Sequence, residues 1–88
     1  MKAHVRIYLT AAGMMGERVQ CEMCGKEATD IHHIDRRGMG GSKTKDFIRN
    51  LMALCRKCHV EYGDKRQHKE MLQATHNGVM KGWGFPAI

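Results

Sequence analysis

The chain has 88 residues, a net charge of +6 at pH 7 and a sequence pI of about 9.4. This length predicts a single domain over residues 1–88 with a small core, and such domains often depend on a metal ion, a disulfide or a partner. The basic charge favours a polyanion, nucleic acid first, as the partner, with a solvated basic surface as the alternative. No segment approaches the roughly 20 apolar residues of a membrane span, which argues against a membrane protein.

The first predicted element is a helix over residues 3–12. Apolar residues alternate there at Val5, Ile7 and Leu9, and a strand would explain them equally well, but the flanking alanines favour a helix. A histidine and an arginine interrupt the apolar residues, so we do not expect a signal peptide. The expected location is therefore a reducing cytoplasm, where paired cysteines are more often metal ligands than disulfides.

Four cysteines form two pairs with the spacing of zinc ligands. Cys21 and Cys24 lie in "CEMCGK", and Cys55 and Cys58 lie in "CRKCH". A two-residue spacer lets both thiolates of a pair approach one ion at about 2.3 Å. Gly25 would permit the positive φ of a tight turn beside the second cysteine. The pattern predicts a closed, structural four-cysteine Zn²⁺ site, with two disulfides or a redox-active pair as the alternatives.

Two short strands and a helix are predicted between and after the cysteine pairs. The segment "ATDIHHID" contains the first strand candidate, near residues 30–34, with Ile31 and Ile34 as its apolar members. Glycines, a serine and cations over residues 36–46 predict a loop. A second strand is expected over residues 51–54, and the following helix would carry Cys58 and His59.

A last helix is predicted over about residues 65–76. Asp64 and Gln67 have the spacing of an N-cap and its capping box. The Asn-Gly pair at 77–78 is its predicted end. Two aromatic residues of the tail are expected to pack back on the core: Trp83 and Phe85.

Taken together, these motifs resemble the HNH nuclease family in its zinc-stapled form. The resemblance covers residues 21 to about 63 and rests on the histidine pair of "DIHHID", the glycine-rich "GMGGSK", Asn50 in "RNLMALC" and His59 in "CRKCHVEYG". It implies the ββα-metal fold, a small zinc-stabilised α+β domain in which two antiparallel strands joined by a long loop precede a helix, here with flanking helices. The small single-domain form is similar to proteins found in phage genomes.

The resemblance implies a catalytic role for two residues. His33 corresponds to the general base of the family, and an imidazole suits removal of a proton from water at neutral pH. A histidine that merely packs inward is the alternative. Asn50 corresponds to the residue that hydrogen-bonds the long loop and orients the base, with a direct contact to the metal or an Asx turn as the alternatives.

The resemblance also implies a catalytic divalent ion. His32 and His59 match its two ligand positions, and the ion would be Mg²⁺ or another divalent ion such as Mn²⁺ or Ni²⁺. Gly63 stands where three-histidine members carry a further ligand, so a two-ligand site is implied. Asp30 or Asp35 could add an oxygen ligand.

Cations close to these residues in sequence suggest phosphate contacts, with a solvated basic face as the alternative. They are Arg36, Arg37, Lys43, Lys45, Arg49, Arg56 and Lys57.

The leading hypothesis is a metal-dependent DNA endonuclease located in the cytoplasm, that of a bacterial host cell if the chain is phage-encoded. The alternative is a non-catalytic, zinc-dependent nucleic-acid-binding module. A homodimer, or a larger phage or host complex, would allow one small site to cut both strands.

Overall fold

The computed structural model describes residues 2–35, 45–63 and 65–85. The helices and strands follow in the order α1 (Ala3–Ala12), β1 (Asp30–His33), β2 (Leu51–Leu54), α2 (Arg56–Cys58) and α3 (Lys69–Gly82). A π-helical turn, His59–Gly63, continues α2, and 3-10 turns, Ile48–Asn50 and Arg66–His68, precede β2 and α3. This is a small α+β domain with a two-stranded hairpin followed by a helix, as predicted. No helix in the described ranges has the length and apolar character needed to cross a membrane.

The two strands form an antiparallel pair in which Asp30 lies opposite Leu54 and His33 opposite Leu51. All four residues of β2 are buried. Because side chains alternate along a strand, they enter two separate apolar clusters. Met52 and Leu54 pack with the cysteines, and the other two residues pack against α1. Both faces of the hairpin are thus covered by apolar side chains. Its polar residues lie mainly towards the end where the strands are joined by the loop.

The N-terminal segment is helical, as favoured from the sequence. Tyr8 and Leu9 of α1 are buried, and Val5 and Ala12 pack in the same cluster, so the buried face follows helical spacing. Gly13 ends the helix with φ +69°, where its N–H bonds to Thr10 O and the next N–H bonds to Leu9 O. This is the Schellman arrangement, and glycine adopts its positive φ without steric cost.

The last helix differs from the prediction of about 65–76. It begins at Lys69 and continues to Gly82, and Asp64, the predicted N-cap, lies outside the described residues. The predicted end at 77–78 is wrong, because burial of the face that carries Leu72, His76 and Met80 extends the helix past it. A helical glycine costs only about 1 kcal/mol, less than burial of one methionine contributes.

The aromatic tail packs on the core, as expected. The Trp83 ring meets Tyr8 edge-on with the ring centroids 5.4 Å apart, and Phe85 lies against Trp83 at 6.4 Å. The end of α3 is therefore held against α1 through Trp83, which packs in the same apolar cluster as Leu51 and Ala53.

Candidate metal and catalytic centre

The four cysteines form one cluster. Cys21 and Cys24 lie before β1, whereas Cys55 and Cys58 lie at the end of β2 and in α2, yet their Sγ atoms all lie within 4.8 Å of one another. The Sγ atoms of Cys24 and Cys55 are 3.7 Å apart, close to the ~3.8 Å edge of a tetrahedron with bonds of about 2.3 Å. All four cysteines are free thiols, so the disulfide alternative is wrong.

The backbone around the cysteines prepares them to bind a metal ion. Gly25 has φ +80° and donates its N–H to Cys21 O at 2.9 Å, which is the tight turn predicted from the sequence. A hydrogen bond from the Cys58 N–H lowers the pKa of Cys55 to about 7, whereas burial raises the pKa of the Cys58 thiol. A cation would be needed to ionise the buried thiol, since only the thiolate is a ligand.

A buried network ties the first cysteine pair to the rest of the domain. His76, fully buried, places Nδ1 2.8 Å from Glu22 Oε1 and donates from Nε2 to Ile48 O at 2.7 Å. The other oxygen of Glu22 accepts from the Tyr8 hydroxyl at 2.6 Å and from the Ala53 N–H at 3.2 Å. Burial raises the pKa of Tyr8, which keeps its hydroxyl a donor. One carboxylate therefore joins α1, β2, α3 and the cysteine turn.

His32 and His59, the predicted ligands of the divalent ion, lie together. Their ring centroids are 4.8 Å apart, and His32 is buried. His59 Nδ1 lies 2.9 Å from Asp30 Oδ2, and Arg56 donates to Oδ1 of the same carboxylate at 3.2 Å. Because a carboxylate only accepts, Nδ1 carries the proton in the neutral His59 ring, and the lone pair is on Nε2. Asp30 thus sets the tautomer that leaves Nε2 for a metal.

Gly63 lies directly beside the His32–His59 pair. A Cβ atom added there would lie 2.6 Å from His59 Cδ2 and 3.4 Å from His32 Cε1. The π-helical turn brings the glycine over the ring four residues earlier. A third histidine at this position would collide with the His59 ring through its Cβ, so the described backbone fits a site with two imidazoles.

His33 makes a separate set of contacts. Successive side chains of a strand point to opposite faces, so His33 is directed away from His32. Its Nε2 donates to Asp46 Oδ1 at 2.7 Å, which leaves the lone pair of the neutral ring on Nδ1. The carboxylate is only 4% exposed and is shielded from water, whereas the imidazole is 15% exposed and is still partly accessible. The His4 ring of α1 lies against His33, with the centroids 4.7 Å apart.

Asn50 holds the two ends of the segment that links the strands. Its Oδ1 accepts from the Asp35 N–H at 2.7 Å, and its Nδ2 donates to Asp35 O at 3.0 Å and to Lys45 O at 2.9 Å. The side chain is buried, and both of its polar atoms have partners. Since His33 and Asp46 lie just outside these two anchor residues, the same contacts position the histidine–aspartate pair.

The predicted phosphate-binding cations have different surroundings. Three of them lie outside the described residues: Arg36, Arg37 and Lys43. Lys45 and Lys69 both bond to Asp35, and these hydrogen bonds lower the pKa of that carboxyl to about 2. Asp35 is therefore committed to two lysines, as Asp30 is to His59 and Arg56. Lys57 is exposed.

Sequence reasoning missed two residues of this centre. Asp46 was grouped with the loop by composition, and no pattern linked it to His33. His4 lies on a helix outside the segment that carried the resemblance. Only the spatial proximity of α1, the end of β1 and the residues after the loop reveals both.

Residues 21–65, just over half of the chain, match the model of the protein family described as HNH endonuclease. This segment contains both cysteine pairs, both strands and the three histidines His32, His33 and His59. Searches among curated proteins and among solved structures gave no match.

Proposed function

This chain belongs to the HNH endonuclease family, and we propose that it is a metal-dependent DNA endonuclease. The observation that carries the proposal is the contact of His33 Nε2 with Asp46 Oδ1 at 2.7 Å. A neutral imidazole whose Nε2 donates to a carboxylate has an acceptor at Nδ1, which is the state required of a general base. A histidine that merely filled space would need no such partner.

The proposed reaction is hydrolysis of a phosphodiester bond. His33 Nδ1 takes a proton from water, and the resulting hydroxide attacks the phosphorus in line with the leaving oxygen. Asp46 stabilises the imidazolium that forms and prevents rotation of the ring. Asn50 acts through the backbone, because its bonds to Asp35 and Lys45 hold both partners in register. The products would carry 5′-phosphate and 3′-hydroxyl ends.

His32 and His59 are the proposed holders of one catalytic divalent ion. The donor set fits, since the two rings lie together, Asp30 leaves the His59 lone pair on Nε2, and Gly63 makes room for both rings. When bound, the ion would stabilise negative charge on the phosphoryl and leaving oxygens. Mg²⁺ with retained waters would serve, and the two imidazoles suit Mn²⁺ or Ni²⁺.

The four-cysteine cluster is the proposed site of a structural Zn²⁺. Four thiolates complete its coordination, which leaves no open position for a reaction. Cys58 directly precedes His59, so the zinc site would fix the backbone from which that ligand projects. The two metals would then have separate roles, one in folding and one in catalysis.

The nucleic-acid partner is supported by the net charge of +6 and by exposed cations such as Lys57 near the cysteine cluster. A non-catalytic zinc module that binds nucleic acid would share that charge and the cysteines. Such a module does not require the His33–Asp46 pair or the His32–His59 pair for binding.

A supercoiled-plasmid assay tests the proposal. The zinc-loaded protein is incubated with Mg²⁺, Mn²⁺, Ni²⁺ or EDTA, next to His33→Ala and to His68→Ala as the matched histidine control. We expect metal-dependent nicking that falls at least about 100-fold in His33→Ala and persists in His68→Ala. Salt-sensitive DNA binding without cleavage under any ion would favour the non-catalytic module.

A further inference from the structure

We propose that His4, His33 and Asp46 form a second, inhibitory Zn²⁺ site, distinct from the cysteine cluster and from the His32–His59 pair. One ligand atom of each of the three residues lies within 4.8 Å of the ligand atoms of the other two. They come from the first turn of α1, from the end of β1 and from the residue after Lys45.

The donor set matches the chemistry of zinc. Two imidazole nitrogens and one carboxylate oxygen are a common three-ligand combination for Zn²⁺, with a fourth position open to water. All three residues have intermediate exposure, and the Asp46 carboxylate is 4% exposed, so the ion would be only partly hydrated. Ligand atoms that bind one tetrahedral ion at about 2.0–2.2 Å lie about 3.3–3.6 Å from one another. Atoms that already lie within 4.8 Å of one another therefore need shifts of at most about 1.5 Å, which side-chain rotation can supply.

The protein holds the three residues in place without a metal. Tyr8 and Leu9 anchor α1 against β2, and this docking carries His4 to the hairpin. His33 belongs to the paired strand. Asp46 follows Lys45, whose carbonyl oxygen is held by Asn50. Ordering the ligands therefore costs little entropy on binding, which favours affinity.

A metal at this site would switch off the general base. A neutral imidazole has one nitrogen lone pair, and the other nitrogen carries a proton. An ion bound to either nitrogen of His33 takes that lone pair, so the ring no longer accepts a proton from water. The metal would also compete with His33 for Asp46. This inhibitory consequence rests on the proposed function, whereas the binding site itself does not.

The binding test uses Co²⁺ as a spectroscopic substitute for zinc. The zinc-loaded protein is titrated with Co²⁺ by calorimetry and by visible absorption, and thiolate charge-transfer bands report any exchange into the cysteine cluster. The variants are His4→Ala, Asp46→Asn, His59→Ala and the control His68→Ala. His59→Ala removes the other proposed ion.

We expect a Co²⁺ equivalent without thiolate bands that survives in His59→Ala and His68→Ala. In His4→Ala and Asp46→Asn it should be lost or bound at least tenfold more weakly. The inference is overturned if His4→Ala and Asp46→Asn bind the same number of Co²⁺ ions as the wild type with the same affinity. Two variants from different elements protect the test against a folding defect in one.

The functional test measures how excess Zn²⁺ affects Mn²⁺-supported plasmid cleavage, with each protein normalised to its own rate without added zinc. The zinc concentration for half-inhibition should be at least tenfold higher for His4→Ala than for the wild type. Equal inhibition of both proteins would overturn the inhibitory role. Co²⁺ binding that depends on His4, combined with no cleavage by any protein, would retain the metal site and reject the nuclease.

Discussion

Asp46 Oδ1 accepts a hydrogen bond from His33 Nε2 at 2.7 Å, and this contact joins the end of the first strand to the residue that follows the long loop. A carboxylate in that place selects one imidazole tautomer and fixes the orientation of the ring. The partner of His33 is therefore an acid supplied by the loop, and the resemblance to a known family had not indicated it.

Two substitutions of Asp46 should distinguish the contribution of its negative charge to cleavage from the contribution of its hydrogen bond to His33. We expect Asp46→Ala to lower plasmid cleavage at least about tenfold, and Asp46→Asn to lower it less, because an amide oxygen still accepts the His33 N–H. Initial rates of nicking measure both. Glu70→Gln, an exposed carboxylate on α3, is the control. Equal rates for all three variants and the wild type would mean that His33 works without this partner.

Asn50→Ala should destabilise the domain. It removes three hydrogen bonds and leaves the partly buried backbone groups of Asp35 and Lys45 without this partner, at a cost of about 2–4 kcal/mol. Urea unfolding of the zinc-loaded protein, followed by circular dichroism, gives this value. Asn77→Ala, which removes one acceptor of Gln73 on the surface of α3, should change stability by less than about 1 kcal/mol. A similar loss in both variants would contradict the special role of Asn50.

Gly63→Ala should disturb the histidine pair and spare the cysteine cluster. The added Cβ would lie 2.6 Å from His59 Cδ2, so the His59 ring has to leave its present position beside the glycine. We expect Mn²⁺ binding by calorimetry to weaken at least tenfold while zinc content, measured by elemental analysis, stays unchanged. Gly78→Ala is a matched control, since a Cβ there meets open space. Undiminished Mn²⁺ affinity in Gly63→Ala would place the ion elsewhere.

Removing one cysteine ligand should unfold the chain. Cys24 is exposed, so Cys24→Ser changes little packing and mainly removes a thiolate. Structural zinc contributes about 10 kcal/mol or more to the folded state of small domains, and loss of its site exceeds their total stability. We expect no cooperative thermal transition in Cys24→Ser or in the wild type after strong chelation. A sharp transition in either sample would show that the core folds without metal.

Breaking the buried pair of Glu22 and His76 should cause a large loss of folding stability. His76→Ala leaves the Glu22 carboxylate buried with one fewer partner, and loss of one member of a buried pair typically costs about 3–5 kcal/mol. Chemical denaturation of the zinc-loaded protein measures the loss. His68→Ala, in the turn before α3, should stay within about 1 kcal/mol of the wild type. A small effect of His76→Ala would mean that water replaces the lost imidazole.

Local patterns predicted several elements because their signals depend on neighbouring residues. The strand over residues 51–54 is a short apolar run, and the structure gives it the same limits. The cysteine pairs have a spacing set by the geometry of one ion, and the four Sγ atoms meet. The end of the last helix was predicted too early, because the Asn-Gly pair is only a local signal for a helix end. Burial of Met80 beyond that pair is a tertiary contribution that outweighs the signal.

By itself, the sequence determined the metal-binding frame, the order of strands and helices, and the identity of the histidines, since ligand spacing and apolar runs act over a few residues. Only the tertiary structure decided what those histidines touch. Docking of α1 through Tyr8 and Leu9 brings His4 to His33, and Asn50 brings Asp46 to the same imidazole. These contacts join separate elements, and their formation depends on packing of the whole domain, which no local pattern encodes.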